Sequence, residues 1–463
     1  MANEVKLTVN DIVRECHGRL VSGDVNIVLG NFVRDTRKVS DGDVYVGIKG
    51  EHYDGNIFFE EALMNGASVC ILQNIDIKEN VIQKYKDRAI IIVQDTIRAL
   101  QQLAAYKRSL YNIPVVAITG SVGKTSTKDI VSSVMSKKYN VLKTEGNLNS
   151  QLGTALTVLR LKDHDAMVVE LGMSQFGEIS RLTNIVKPTV AVITNVGTAH
   201  IGILGSRENI LKAKLEILEG LQAGGKVIIN NDNDLLNDWN KNNCEYKVTT
   251  YGMENKSDVM AYNITLEENG SSYDVRINGK DYHVHINVGG NHFVLNSLCA
   301  IAVGNYFDID MESILEGIDK FELTKRRMEQ RKLSDGTIII NDCYNANYDS
   351  MKAAIEYLAK LNNKLKIAVL GDMLELGSYS EELHKKVGSD VAKNKIDVLI
   401  TVGNEAKNIA TEACKNGVNK DKIYTFDTNI EAINKLKEFL GKNSVVLIKA
   451  SNGMKFQEIA EAF

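Results

Sequence analysis

Residues 115–127, Val-Val-Ala-Ile-Thr-Gly-Ser-Val-Gly-Lys-Thr-Ser-Thr, constrain this chain more than any other stretch. A short apolar, β-branched run stops at a glycine-rich turn, and a helical pattern follows over 128–136. Backbone N–H groups in such a turn, with the positive end of the next helix, form a cradle for phosphate oxygens. Gly120, Ser121, Val122, Gly123, Lys124, Thr125 and Ser126 are therefore the candidate phosphate-binding residues. Lys124 adds a point charge for the outer phosphates, and Thr125 offers a hydroxyl to Mg²⁺. The usual nucleotide loop reads G-x-x-x-x-G-K-[ST], which would need glycine at Ile118. Here the loop is shorter, so its meaning depends on the strand before it and the helix after it.

A chain of 463 residues is too long for one ordinary core, and the length suggests about three domains. The formal net charge of -4 gives no electrostatic case for a nucleic-acid partner. The N-terminal Met1-Ala-Asn-Glu-Val-Lys-Leu does not read as a secretory signal, and no apolar run approaches the ~20 residues of a membrane helix. A cytoplasmic protein without an integral membrane segment is expected. The six cysteines (Cys16, Cys70, Cys244, Cys299, Cys343, Cys414) are scattered without a C-x-x-C pair, which favours reduced thiols. Two prolines occur, Pro114 and Pro188, where ~5% usage would give roughly twenty. Prolines that relatives carry can therefore be missing here.

Residues 1–95 mix short strand patterns (25–29, 44–48, 68–72, 89–93) with a helix near 58–65, which reads as a small α/β domain. A helical stretch over 95–110 leads to the phosphate loop. In 96–322 strands at 115–119, 166–171, 190–195 and 226–230 alternate with helical patterns, the signature of a mostly parallel sheet covered on both faces. The segment 258–288 instead alternates apolar and polar residues around Glu268-Asn269-Gly270 and Asn278-Gly279-Lys280, predicting an antiparallel insertion. In 323–463 strand patterns at 337–341, 366–370, 398–402, 422–426 and 444–448 predict a doubly wound, Rossmann-like α/β domain.

Ligands in open α/β sheets bind beyond the carboxyl ends of the strands. That rule puts Glu170, Thr194-Asn195 with His200, and Thr144-Glu145-Gly146-Asn147-Leu148-Asn149 beside the loop. A carboxylate and an imidazole there could hold a second metal between ATP and another substrate. Taken singly, Glu170 could be an exposed strand-end carboxylate and His200 a structural histidine.

Gly120-Ser-Val-Gly-Lys-Thr-Ser-Thr, Glu170-Leu-Gly-Met, Asn195-Val-Gly-Thr-Ala-His200 and Lys212-Ala-Lys214-Leu-Glu216-Ile resemble the Mur ligases, ATP-dependent amino-acid and peptide ligases of peptidoglycan precursor synthesis. Asp35-Thr36-Arg37-Lys-Val39, Gly42-Asp43 and Asp54-Gly55 resemble the family's UDP-sugar-binding N-terminal domain. Gly290-Asn-His292-Phe-Val-Leu-Asn296 resembles its segment near the adenine. Asn341-Asp342-Cys-Tyr344-Asn345-Ala346-Asn347, Leu370-Gly-Asp372-Met-Leu-Glu375-Leu-Gly377 and Glu382-Leu-His384 are similar to the family member that handles a dipeptide.

The resemblance implies two substrates besides ATP, a UDP-N-acetylmuramoyl-tripeptide and D-Ala-D-Ala, and a monomer carrying three domains. It implies catalytic roles for Lys124, Glu170, His200 and Lys214, with Thr125, Glu170, His200 and Lys214 holding two Mg²⁺ ions. An unmodified lysine, with a pKa near 10.4, would repel a metal, so a CO₂-derived carbamate on Lys214 is implied. Without the resemblance, Lys214 reads as an ordinary helix lysine. His292, Asn296, Arg327 and Asp342 are implied at the nucleotide, and Asp35, Thr36, Arg37, Asp54, Gly55, Asn147 and Asn149 at the UDP substrate. Tyr344, Asn345, Asn347 and His384 are implied on the D-Ala-D-Ala side, although a histidine at an acidic helix start is commonly a cap partner.

The chain departs from the family pattern at Ser150, Ala155, Tyr348, Asn56 and Asn452. Asn56 and Asn452 bear most on function, because they replace a histidine and an arginine in segments facing substrate. A diaminopimelate- or lysine-adding Mur ligase, a folylpolyglutamate synthase, and a nucleotide-binding relative without catalysis are the alternatives. Tyr344-Asn-Ala-Asn argues against the first two, and intact Lys124, Thr125, Glu170 and His200 argue against the third.

Overall fold

A computed structural model describes residues 5–243, 245–267, 270–361, 365–441 and 443–463. The N-terminal residues 1–4, Cys244 and the Glu268-Asn269 turn lie outside them. Among the described residues the strands form three sheets, each the framework of one α/β layer system. The first has five strands in the order Arg19–Ser22, Ala89–Val93, Val69–Gln73, Val44–Val46 and Phe32–Val33, parallel except for Arg19–Ser22 at its edge. The strand expected at 25–29 does not form. Val28 makes a single bridge to Thr8, and the pairing goes to Arg19–Ser22 and Phe32–Val33 instead.

The central sheet has nine strands, with Val115–Thr119 inside it between Val190–Ile193 and Ala166–Glu170. Every residue of Val115–Thr119 is buried, as a β-branched run covered on both faces requires. Helices cover this sheet in two groups. Lys124–Met135 packs on Asn291–Tyr306 and Met311–Asp319, and Thr96–Ser109 packs on Gln151–Leu159 and Glu178–Val186. The alternating segment forms the expected antiparallel hairpins, and they are continuous with the central sheet. Val259–Glu267, Gly270–Ile277 and Lys280–Ile286 extend the same sheet beyond Lys247–Gly252, and only the last two join antiparallel.

The third sheet has six strands in the order Glu329–Lys332, Ile338–Asn341, Ser444–Lys449, Leu365–Gly371, Val398–Val402 and Ile423–Phe426. All pairs are parallel except the edge pair of Glu329–Lys332 with Ile338–Asn341. Alternate residues of these strands feed two different cores, so helices lie on both faces and the domain is doubly wound. Cys16, Cys70, Cys299 and Cys343 are buried thiols and Cys414 is exposed. No helix of the described residues is long and apolar enough to cross a membrane.

Candidate active site

The site grows from parallel register. Val115↔Met167, Ile118↔Glu170 and Thr119↔Ile193 pair side by side, so the carboxyl ends of three strands deliver the phosphate loop, Glu170 and Thr194-Asn195 to one place. The following helix starts earlier than its periodicity predicts, at Lys124 itself, which leaves the first N–H groups of the turn without intrahelical acceptors. Gly120 sits at φ +155° and a Cβ there would lie 1.9 Å from Thr194 Oγ1, so the close approach excludes any side chain. Gly123, at φ +82°, caps the helix in the left-handed region.

The loop is braced from below. Asn195 Oδ1 accepts from the N–H groups of Ser121 and Val122, both at 2.9 Å, and Gly197 N–H donates to Ser121 Oγ at 2.9 Å. Asn195 is thus a site residue that its motif contained but whose task only the packing reveals. Lys124 Nζ donates to Gly120 O at 2.8 Å, curling back over the loop. Burial lowers the Lys124 pKa, while Glu170 acts in the opposite sense.

Glu170 is 2% exposed, and its carboxylate takes hydrogen bonds from Thr125 Oγ1 at 2.9 Å and Asn149 Nδ2 at 2.7 Å. Among the described residues no group of three His, Cys, Asp or Glu side chains converges as a ready-made cage. Mg²⁺ does not need one, because it typically takes one or two carboxylates and completes its shell with water and phosphate oxygens. A buried carboxylate beside a threonine hydroxyl at a phosphate loop is a hard-oxygen donor set that fits it.

His200 occupies the left-handed region at φ +63°, and its Nδ1 lies 2.9 Å from Glu375 Oε2, close but not aligned as a hydrogen bond. Burial first, then the charge of Lys124, keeps its pKa below the ordinary histidine value. Lys214 is buried in the helix Arg207–Leu215, and no described residue gives its ammonium a hydrogen bond or ion pair. Burial and the nearby Lys124 pull its pKa well below that of a free lysine.

Around this centre opens a cleft of about 1090 Å³, lined by the second and third domains. From the helix Asn291–Tyr306, His292 and Asn296 line it. Asn296 Oδ1 accepts from Thr127 Oγ1 at 3.0 Å, whereas its Nδ2 is buried without a partner. From the third domain, Arg327 lies 4.1 Å above the Tyr344 ring and reaches Thr125 Oγ1 at 3.5 Å, with its Nε buried and unpaired. Asp342 accepts from Lys449 Nζ at 2.5 Å and Met328 N–H at 3.2 Å, and Lys449 also donates to Asn345 O at 3.1 Å. Asn345 and Asn347 line the cleft, as do Asn147, Asn149 and Asn452.

Two sets of expected residues stand elsewhere. Asp35, Thr36, Arg37, Asp54 and Gly55 lie on the first domain and do not line the cleft. There Asp35 caps a short 3₁₀ turn and pairs with the Arg37 guanidinium at 2.8 Å, which lowers its pKa to about 2. Asn56 is 1% exposed and ties Asp54 to Gln73 N–H, so the departure at 56 is spent on local structure. His384, expected on the dipeptide side, does not reach the cleft. Its ring is fully buried, with Nε2 accepting from Met373 N–H at 3.0 Å and Nδ1 2.7 Å from Ser380 O.

A phosphate loop under a metal-ready carboxylate, faced across a cleft by an arginine and an aspartate from a second α/β domain, defines a multidomain nucleotide-dependent enzyme. Comparison with known proteins narrows the class. The Mur ligase family catalytic domain matches residues 33–108, the Mur ligase middle domain 118–304 and the Mur ligase glutamate ligase domain 326–452. The chain is 38% identical to the UDP-N-acetylmuramoyl-tripeptide–D-alanyl-D-alanine ligase of Bacillus subtilis (strain 168), over 99% of this chain and 98% of that protein. Among solved structures, MurF from Acinetobacter baumannii is similar with a TM-score of 0.88 and 29% identity, covering 99% of both chains. MurF ligase from Thermotoga maritima in complex with ADP is similar with a TM-score of 0.81 and 28% identity, over 94% of this chain and 96% of that one. The chain belongs to the Mur ligase family.

Proposed function

We propose that this chain joins D-Ala-D-Ala to the terminal carboxylate of a UDP-N-acetylmuramoyl-tripeptide, converting ATP to ADP and phosphate. A carboxylate is a poor acyl donor, because its charge repels nucleophiles and oxide does not leave. Transfer of the ATP γ-phosphoryl group makes an acyl phosphate, and the dipeptide amine then attacks its carbonyl carbon. The C–N bond forms, the C–O bond to phosphate breaks, and phosphate leaves with the electron pair while the nitrogen gives up a proton. The first step brings two anions together, and each pair of unit charges at ~4 Å costs about 4 kcal/mol at an effective dielectric near 20. Lys124, Arg327 and the N–H groups at the start of Lys124–Met135 stand where they offset that cost.

Thr125 and Glu170 are the residues to hold one Mg²⁺, and His200 with Lys214 a second, the ions supplying charge neutralisation along the phosphates. Lys214 suits a cation only as its carbamate. Its burial beside Lys124 favours the neutral amine, which is the form that adds CO₂. The first-domain residues Asp35, Thr36, Arg37, Asp54 and Gly55 serve the UDP end of the substrate in this reading. All the roles fall within one chain, which supports action as a monomer.

One observation carries the reading: Arg327 and Tyr344-Asn345-Ala346-Asn347 of the third domain face the phosphate loop across a single cleft. The test is incubation with ATP, Mg²⁺, D-Ala-D-Ala and both UDP-muramoyl-tripeptides (L-lysine and diaminopimelate forms), read by mass spectrometry. A pentapeptide product is expected. Phosphate release with a free amino acid but none with the dipeptide would defeat the reading.

A further inference from the structure

The cleft is rich in cations, with Lys124, Lys325, Arg326, Arg327 and Lys449 on its walls. That suits phosphate groups but opposes the ammonium of an incoming dipeptide. Its carboxylates are Glu170, Glu178, Asp342 and Glu375. Three of them are already committed. Glu170 is held by Thr125 and Asn149, Glu178 by the N–H groups of Ser174 and Gln175, and Asp342 by Lys449 and Met328 N–H. Glu375 takes no hydrogen bond from any described donor. Its side chain is 59% exposed, and among the described residues its one ion-pair partner is His200 Nδ1 across the domain seam.

The backbone at Glu375 is itself strained, at φ +65°, a region a non-glycine residue keeps only when its surroundings enforce it. They do so here. Met373 N–H is fixed to His384 Nε2 and Leu374 N–H to Ser451 Oγ, while Leu376 is buried and a Cβ at Gly202 would strike the Leu376–Gly377 peptide. A strained residue anchored on both sides, holding a largely exposed carboxylate at the cleft wall with only His200 Nδ1 against it among the described groups, is a built feature.

We infer that Glu375 binds the ammonium group of the incoming dipeptide and sets its nitrogen at the seam between the second and third domains. The role presupposes the ligase activity proposed above. Charge-assisted hydrogen bonds from the ammonium replace those it leaves in water, and the neighbouring cations then favour the dipeptide carboxylate rather than oppose the amine.

The experiment compares the wild type with Glu375→Gln, using D-Ala-D-Ala and, separately, hydroxylamine, which is neutral near pH 7 and traps acyl phosphate as a hydroxamate. The expected result is a KM for D-Ala-D-Ala raised ~10- to 100-fold, the loss of one charge-assisted contact, with ATP-dependent hydroxamate formation unchanged. Retained hydroxamate formation also certifies that the variant is folded. An unchanged dipeptide KM overturns the assignment. So does an equal loss with hydroxylamine, which would place Glu375 in phosphoryl transfer through His200. Wild-type enzyme that traps hydroxamate yet never ligates the dipeptide would instead overturn the ligase reading on which the role stands.

Discussion

Asp349 Oδ2 accepts from both the backbone N–H and the hydroxyl of Thr198, at 2.8 and 2.9 Å. Asp349 stands in the first turn of the third-domain helix Tyr348–Lys360, and Thr198 lies in the loop that ends at His200. The contact therefore ties the third domain to the loop that braces the turn at Gly120–Thr125. Gly197 fits beneath it because a Cβ there would lie 2.2 Å from Asp349 Oδ2. Hydrogen bonds to a charged group contribute about 1.5–3 kcal/mol. Asp349→Ala should lower kcat/KM by ~10-fold or more, read in steady-state assays beside the wild type.

Lys214 gives a direct chemical prediction. Lys214→Ala should cut turnover ~100-fold or more, and short carboxylic acids such as acetate should restore part of it by standing in for the carbamate. In the wild type, ¹³C NMR with labelled CO₂ should show a carbamate resonance that the variant lacks. Absence of that resonance in active enzyme would remove the carbamate from the mechanism.

Burial pushes the His292 pKa down to about 4, whereas an unfolded histidine titrates near 6.5. The unfolded chain therefore binds a proton first as pH falls, so His292 contributes stability that is complete above about 6.5 and is lost toward about 4. Between pH 7 and pH 5 the loss from this group is on the order of 1–2 kcal/mol. His292→Gln should flatten that part of the pH dependence in thermal unfolding. Parallel curves for variant and wild type would show that His292 ionises freely.

His384 should behave as a structural residue. Its ring bridges Met373 N–H and Ser380 O inside the third domain, so His384→Ala leaves a cavity and an unpaired backbone donor. A cost of about 2–4 kcal/mol is expected, seen as a lowered melting temperature. Glu375→Gln, on an exposed side chain, should melt close to the wild type.

The buried parallel strands were legible because β-branched runs covered on both faces announce themselves, as at 115–119 and 398–402. Edge strands were not. Glu329–Lys332 is entirely polar and becomes a strand only by pairing with Ile338–Asn341, and 25–29 looks like a strand but finds no continuous partner. At the site, the convergence of Lys124, Thr125, Glu170 and His200 was legible from strand ends, and all four line one cleft. His384 shows what a motif leaves open, since its position does not say which way the helix face turns, and here the ring turns inward onto Met373 N–H.

By itself the sequence determined the phosphate loop, since the turn Gly120–Thr125 and the strand leading into it are contiguous and their geometry is local. It also carried the third-domain segments that favour a dipeptide. Only the tertiary structure decided that Glu375 meets His200, that Asp349 grips Thr198 and that Arg327 reaches Thr125. Those pairs lie far apart in the chain and belong to different domains. No local propensity encodes them. They exist because two sheets, sharing one continuous buried core, present complementary strand ends across one cleft.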